Sequence, residues 1–402
     1  MSKILTPKDE AELAKMVARA NKNKTRLRIE GGGTRQDLGN LIKTDATLSL
    51  KNISGITLYE PGALTLVAKA GTPLKEIEKA LKKHSQRLAF EPMDHRAIFG
   101  SKGEPTIGAI VAGNISGSRR IIAGGCRDSL IGVRFINGNG EIIKNGGRVM
   151  KNVTGLDLVK LMAGSFGTLG VISEVSFKLL PVAQRKVSLE IKGLSSEQAI
   201  SIMSKALGSP FEITAAAHLP KNLNNKNGDA KTLLRIEGFD SQVDYRIEKL
   251  SELIANNIEI TTIEGKEHDK LWRYIRNVKI FKNSKNPLWK LSIKPSDAPD
   301  IEKQLIDKTG ADMFFDWAGG LIWLQMQDED NAHADVVRHI VKQFGGHATL
   351  VRASDEIREA VEIFQPEQVG IAKLSNLIRK KFDPSGILNP NLMGNLGDEN
   401  AN

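Results

Sequence analysis

Apolar residues alternate with polar ones at every second position in some stretches and return every third or fourth position in others. The switch between these two periods marks out the elements. Leu13, Met16, Val17 and Ala20 keep helical spacing behind Thr6-Pro7-Lys8-Asp9, which has the form of a helix start. There Thr6 would be the cap, Pro7 the first helical residue and Asp9 the capping-box acid. Strands are expected at 27–30, 46–50, 65–70 and 87–90, and a helix from about residue 74 carries Leu74, Ile77 and Leu81 on one face. Two apolar runs at 130–136 and 141–144 flank Asn137-Gly138-Asn139-Gly140, a strong hairpin signal. Residues 151–161 read as a loop entering a helix. A glycine-rich loop, 164–170, then feeds a strand at 171–179 with Val171, Val175, Phe177 and Leu179 on one face.

Beyond residue 183 the pattern repeats. Strand 187–191 leads to a helix capped by Ser195, with Gln198 at the box position and Gly208 at the stop. Strands at 212–219 and 232–239, a helix at 242–255 and a strand at 258–263 complete a β-α-β-β-α-β unit of ferredoxin-like order. After a helix at 268–279, a second such unit is expected: 288–293, 301–308, 313–317, 321–326, 332–343 and 347–352. A helix and loop at 369–390 close the chain, and 394–402 reads as a frayed terminus.

Composition narrows the function. The 402 residues are 40% hydrophobic and 26% charged, enough for a large core in two or three domains. The net charge of +10 comes from interspersed lysines and arginines without a long basic run, and aromatics are only 5%, which argues against nucleic-acid binding. Cys126 is the only cysteine, so the chain cannot hold an iron–sulfur cluster or a Cys-x-x-Cys metal site. No apolar signal core opens the chain, so cytoplasmic residence is expected, with peripheral attachment to the inner face of a membrane left open.

The chemistry gathers in small residues. Gly31-Gly32-Gly33-Thr34-Arg35 follows a strand but precedes another strand, so the helix that a dinucleotide fingerprint or P-loop requires is missing. Residues 106–128 carry glycine at 108, 113, 117, 124 and 125, and then Arg119, Arg120 and Arg127. Such a run lets backbone approach an anionic or electron-rich object, although tight packing of two elements produces the same composition. His95 reads as an exposed loop histidine without a partner.

Taken in order, these pieces resemble the FAD-binding domain of the p-cresol methylhydroxylase/vanillyl-alcohol oxidase superfamily. They are Gly-Gly-Gly-Thr; Thr-Ile-Gly-Ala through Asn-Ile-Ser-Gly-Ser-Arg-Arg; Arg-Asp and Asn-Gly-x-Gly; Lys-Asn-Val-Thr-Gly-x-Asp-Leu; and Gly-Ser-x-Gly-Thr-Leu-Gly-Val-Ile. The likeness is greatest to the small FAD-binding subunits of bacterial glycolate oxidases. It implies an α+β fold: a two-subdomain FAD-binding domain over 1–182, a duplicated ferredoxin-like cap over 183–352, and a C-terminal helix and tail over 353–402 that return to the first domain. It implies that Gly31, Gly32, Gly33, Thr34 and Arg35 cradle the FAD pyrophosphate. Thr106, Gly108, Asn114, Ser116 and Gly117 would then run along the ribityl chain and isoalloxazine, with Gly170, Val171 and Ile172 on the adenine side. Many relatives attach flavin covalently through a histidine where Thr34 stands, so non-covalent FAD is expected.

The resemblance further implies oxidation of a small 2-hydroxy acid such as glycolate. The chain would work in a complex with a homologous larger FAD subunit and an iron–sulfur subunit. Such chemistry needs a cation for the substrate carboxylate and a base for the hydroxyl proton. Arg276, four residues from Trp272 on an expected helix, is the candidate cation, with Arg352 and Trp323 behind it. No base stands out among the scattered histidines, and no metal site is expected. A self-sufficient FAD oxidoreductase and a non-catalytic accessory flavoprotein therefore remain open as alternatives.

Overall fold

A computed structural model of the chain describes residues 3–147, 155–223, 228–254, 258–282 and 284–394. The expected loop at 151–154, the last residue of the helix expected to reach 255, and most of the expected frayed terminus lie outside these residues.

The first half holds two sheets. Strands β1 (Lys3–Leu5), β2 (Leu27–Glu30) and β3 (Ala46–Ser49) form a parallel sheet in the order β1-β3-β2. Strands β4 (Ile56–Glu60), β5 (Thr65–Lys69), β6 (Gln86–Leu88), β7 (Leu130–Ile136), β8 (Ile142–Gly146) and β9 (Val171–Pro181) form an antiparallel one, ordered β4-β5-β9-β7-β8 with β6 beside β9. The odd-numbered residues Val171, Val175, Phe177 and Leu179 of β9 are all fully buried, as alternation requires. The helix Glu10–Lys22 is tied to the antiparallel sheet, its Glu10 accepting from Ser173 Oγ of β9 at 2.6 Å and Arg134 Nε of β7 at 3.0 Å. That helix starts later than its sequence suggests. Asp9 is the N-cap, accepting from Glu12 N at 2.8 Å, so Thr6 and Pro7 precede it. An acid one residue before the helix satisfies an orphan N–H as well as Thr6 would have done.

The second half is a single eight-stranded antiparallel sheet. Its strands are β10 (Arg185–Lys192), β11 (Ile213–Leu219), β12 (Lys231–Gly238), β13 (Ile260–Glu264), β14 (Leu288–Ser292), β15 (Asp312–Asp316), β16 (Leu321–Gln325) and β17 (His347–Arg352). The order β13-β10-β12-β11-β15-β16-β14-β17 is two β-α-β-β-α-β units joined edge to edge through β11 and β15, where His218 pairs with Phe315. Both halves of the Ser195–Gln198 capping box form. Helices Ser196–Leu207, Asp240–Ile254, Ala298–Thr309 and Ala334–Gln343 cover one face with a core that includes Trp289, Leu291, Phe315 and Leu324. The alternate residues of the same strands, among them Ala215, Leu233, Phe314 and Trp323, join the core of the first half. The pleat therefore delivers polar residues of the second half to the surface of the first.

The end of the described chain lies against the first half. Helix Val369–Phe382 is followed by a segment that pairs with β2: Leu27 N donates to Ile387 O at 2.7 Å, and Ile29 N to Asn389 Oδ1 at 2.8 Å. Arg352 is consumed structurally, donating to the carbonyls of Asn286, Ile98 and Phe281 and to Gln325 Oε1 at 3.0–3.2 Å.

Candidate functional site

Strand β2 ends in the glycine loop, and the loop is clamped. A Cβ on Gly32 would overlap the Glu104 carbonyl, one on Gly103 would overlap the Gly32 carbonyl, and one on Gly31 would overlap Thr106 Oγ1. This close approach of two backbones is what the glycines permit. Beneath them lies a cleft of about 910 Å³ of empty space, lined by Gly31–Arg35, Gly108, Ala109, Ala112, Gly113, Gly170, Ile172 and Asn389. Residues 107–112 form a short helix that the small-residue run did not announce, and a Cβ on Gly108 would meet Ala70 Cβ at 2.5 Å. Val171 is fully buried in β9 and turns its side chain into the core, leaving its neighbours Gly170 and Ile172 to line the cleft.

Two unmet hydrogen-bonding needs fit an anionic ligand here. The Nη1 and Nη2 atoms of Arg35 and the Oγ1 of Thr106 are buried without a partner. Burial lowers the Arg35 guanidinium to about 10, with Asp94 and Cys126 opposing the shift, so it keeps its charge at neutral pH. A buried unpaired cation is costly unless an anion completes it, and a pyrophosphate supplies both charge and acceptors.

A second cavity of about 1050 Å³ continues from the first, since Leu38, Gly113 and Phe166 line both. It lies where the eight-stranded sheet meets the first half. Asn114, Ser116 and Gly117 form one wall. The side chains of Asn114 and Ser116 are already engaged, accepting from Arg127 N and Cys126 N at 2.9 Å each, so they shape the loop and leave its backbone to face the cavity. The opposite wall comes from the pleat of the sheet: Lys290 of β14, Trp323 of β16, Thr349 of β17, and Asp316 at the end of β15. Two cations approach the ring of Trp317, Arg120 at 5.0 Å and Lys290 at 5.4 Å from its centre, and its Nε1 donates to Gly117 O at 3.1 Å. Left-handed non-glycine residues ring the site: Glu91, Asn114, Phe166, Trp317 and Ala318 have φ between 44° and 56°. Backbone strain of this kind gathers at binding sites.

His95 is corrected by this geometry. It is buried, stacks on Phe99 at 6.0 Å, and its Nδ1 accepts from Arg35 Nε at 3.2 Å. Burial first, then Arg35 and Lys290, hold its imidazole well below the ordinary range, so it is neutral. Arg276 does line the second cavity, but it also lines a polar cleft of about 1540 Å³ on the other side. Its stem lies against Gly117, and its Nε donates to Asn277 Oδ1 at 3.2 Å, with Glu91 and Glu78 acting on its charge. The expected Arg119 is drawn away as well, into ion pairs with Glu237 and Glu91. Arg127 is exposed, and Trp272 is buried with its Nε1 donating to Ser188 Oγ at 2.7 Å. Among the described residues, the other cations that line this cavity are Arg120 and Lys290. Burial, followed by Arg120, lowers Lys290 to about 8.

Lys290, Asp316 and Trp317 escaped the sequence reading. The visible trace was Asp316-Trp317-Ala318-Gly319-Gly320, an acid and an aromatic at a strand end before two glycines. Among the described residues, no cluster of histidine, cysteine and carboxylate side chains could hold a metal ion. No helix among them is long and apolar enough to cross a membrane.

Comparison with known proteins bears on this geometry. Residues 1–146 match the family described as FAD binding domain. The chain is 33% identical to glycolate oxidase subunit GlcE of Escherichia coli over 95% of its own length and 96% of the relative's. It is 28% identical to glycolate oxidase subunit GlcD of Bacillus subtilis over 59% of its length and 47% of that protein's. Among solved structures, 4-ethylphenol oxidase from Gulosibacter chungangensis superposes with a TM-score of 0.71 at 17% identity, covering 97% of this chain and 88% of the other, a likeness of fold.

Proposed function

Because the chain belongs to the FAD-binding oxidoreductases of the p-cresol methylhydroxylase type, in the line of the glycolate oxidase subunits, we propose that it is the FAD-carrying subunit of a complex that oxidises glycolate or a similar small 2-hydroxy acid. The observation that carries this reading is the second cavity. It continues from the cleft where Arg35 is left unpaired, and it presents two cations on one aromatic ring beside one buried carboxylate.

In this reading Gly31, Gly32, Gly33, Thr34 and Arg35 hold the pyrophosphate, and the backbone of Gly108 and of 114–117 follows the cofactor towards the second cavity. Thr106 adds its free hydroxyl, and Gly170, Val171 and Ile172 flank the adenine end. The bound flavin supplies a two-electron acceptor for the substrate's carbon-bound hydrogen. Arg120 and Lys290 hold the substrate carboxylate, and Trp317 fixes their spacing. Arg276 keeps the wall behind Gly117 closed. The cofactor is held non-covalently, with Thr34 at the position where relatives carry a linking histidine. The chain divides into an FAD domain at 1–182, a cap at 183–352 and a returning tail at 353–402.

With one cysteine, the chain cannot store electrons in a cluster of its own. They leave to an iron–sulfur subunit, and a homologous larger FAD subunit completes the complex. It works in the cytoplasm at the inner face of a membrane. Turnover by this chain itself, rather than by its partner alone, is favoured by the presence of both the cations and an acid at the cavity.

The test is a visible spectrum of the purified protein followed by anaerobic addition of glycolate, with and without the partner subunits. A yellow protein that bleaches is the expected result. A protein that gains no flavin absorbance when mixed with FAD overturns the reading, as does a flavoprotein that no 2-hydroxy acid reduces in either setting.

A further inference from the structure

Asp316 is the only carboxylate among the described residues lining the second cavity. It ends β15 on the sheet face that looks into the cavity and is 3% exposed. Its Oδ2 accepts from Ser118 Oγ at 2.7 Å and its Oδ1 from Trp317 N at 2.8 Å. Each oxygen therefore keeps a lone pair that the protein does not use. The same turn sets Trp317 within cation–π reach of both Arg120 and Lys290, so one strained loop carries the acid and the ring that the two cations approach.

We propose that Asp316 is the base that takes the hydroxyl proton of the 2-hydroxy acid held by Arg120 and Lys290, an inference that rests on the function proposed above. The substrate O–H bond breaks and its proton goes to an Asp316 oxygen. The electron pair left behind becomes the second carbon–oxygen bond as the carbon-bound hydrogen departs with its two electrons. A bound flavin would supply the acceptor for that hydride equivalent, and the substrate is left as a 2-oxo acid with its hydroxyl proton on Asp316.

The other titratable groups at the cavity are less suited. His95 gives its Nδ1 to Arg35 and sits between Arg35 and Lys290, where a further positive charge is opposed. Lys290 is needed as a cation on Trp317. Asp316 has the opposite environment. Burial pushes it up to about 6 against the pull of Ser118, the Trp317 N–H and Arg235, with Glu91 adding to the rise. It is therefore ionised at neutral pH and more basic than an ordinary aspartate, which suits a general base. The charged groups that act on it are Arg235 from β12 and Glu91 after β6, while Arg120 from the 120–123 turn and Lys290 from β14 line the same cavity.

The experiment uses the FAD-loaded protein in its complex. Anaerobic flavin reduction by glycolate is followed in wild type, Asp316→Asn and Asp316→Glu, and binding of unreactive oxalate is measured by calorimetry. Asp316→Asn should slow reduction ~10²–10⁴-fold, with FAD content unchanged and oxalate binding retained. Asp316→Glu should recover part of the rate, and the acidic limb of the wild-type rate profile near pH 6 should vanish in the Asn variant. The proposal is overturned by an Asn variant that reduces at the wild-type rate, or by one that loses oxalate or FAD in step with rate, the mark of a merely structural carboxylate. A wild type that holds FAD but is reduced by no 2-hydroxy acid removes the functional reading instead, and this inference with it.

Discussion

Two terminal guanidinium nitrogens buried without an acceptor destabilise a fold until an anion arrives, and Arg35 has both. The residue therefore acts in opposite directions on the empty and the loaded protein. Arg35→Met keeps the stem's packing and removes the charge. The apoprotein should unfold at the same or a higher temperature, while FAD affinity should fall by roughly 2–3 kcal/mol, the weight of charge-assisted hydrogen bonds. Calorimetry on the apoprotein and an FAD titration check the two signs, and a variant that is both less stable when empty and unchanged in affinity would place Arg35 in the scaffold. Arg35 could be singled out only through the ordered set of motifs around it, because its own glycine loop lacks the helix that a dinucleotide fingerprint or P-loop requires. Asp316 and Lys290 could not be, because an acid and an aromatic before two glycines is a faint trace, and a lysine within a paired strand leaves none. His95 misled for a related reason: a polar local sequence looks exposed until Arg35, sixty positions away, is folded over it.

Elements were legible wherever a period was clean. The double β-α-β-β-α-β order, the Ser195 capping box and the Asn-Gly hairpin all follow from rules that act within about ten residues. The fusion of the two repeats into one sheet does not, since the β11–β15 seam is a single pairing of His218 with Phe315. The helix Ile107–Ala112 was hidden because its glycine, alanine, valine and isoleucine residues leave no polar face to mark a turn. That helix also carries the clearest prediction at this scale. Gly108 abuts Ala70 so closely that a side chain must displace β5's end or the helix. Gly108→Val should abolish FAD retention while leaving the eight-stranded sheet folded, since that sheet buries a separate helix-side core. Gly62→Ala, at a glycine with open space around it, is the control and should keep full colour. Retained flavin in Gly108→Val, read from the visible spectrum after gel filtration, would refute the placement.

At the scale of the molecule, the two halves are fastened by charges that no local pattern reveals. Arg87 and Arg119 from the first half meet Glu237 of β12, and Glu91 meets Arg235 of the same strand at 3.0 Å. The side chains of Arg119, Arg235 and Glu237 are each no more than 5% exposed. Burial alone would raise Glu91, yet Arg235, Arg119 and Arg276 together hold it at about 2. The network stands directly behind the site. Gly117 donates to Phe90 O at 2.9 Å, next to Glu91, and its own carbonyl receives Trp317. Releasing the charges should therefore be felt in the cavity as well as in stability. Glu237→Gln leaves two guanidiniums without their shared carboxylate, a loss of roughly 3–5 kcal/mol for a buried pair broken on one side. Pairing it with Arg119→Met, which removes the stranded cation, should restore a good part of that stability, because the penalty belongs to the unpaired charge rather than to the lost attraction. Denaturant unfolding of the single and double variants reads the first effect. Hydrogen exchange at the β12 amides and the rate of flavin release read the second, and both should quicken in Glu237→Gln. If the single variant unfolds at the wild-type midpoint, or if the double is worse than the single, the network is an ornament of the surface between the halves and the position of Trp317 must be set by the strained loop alone.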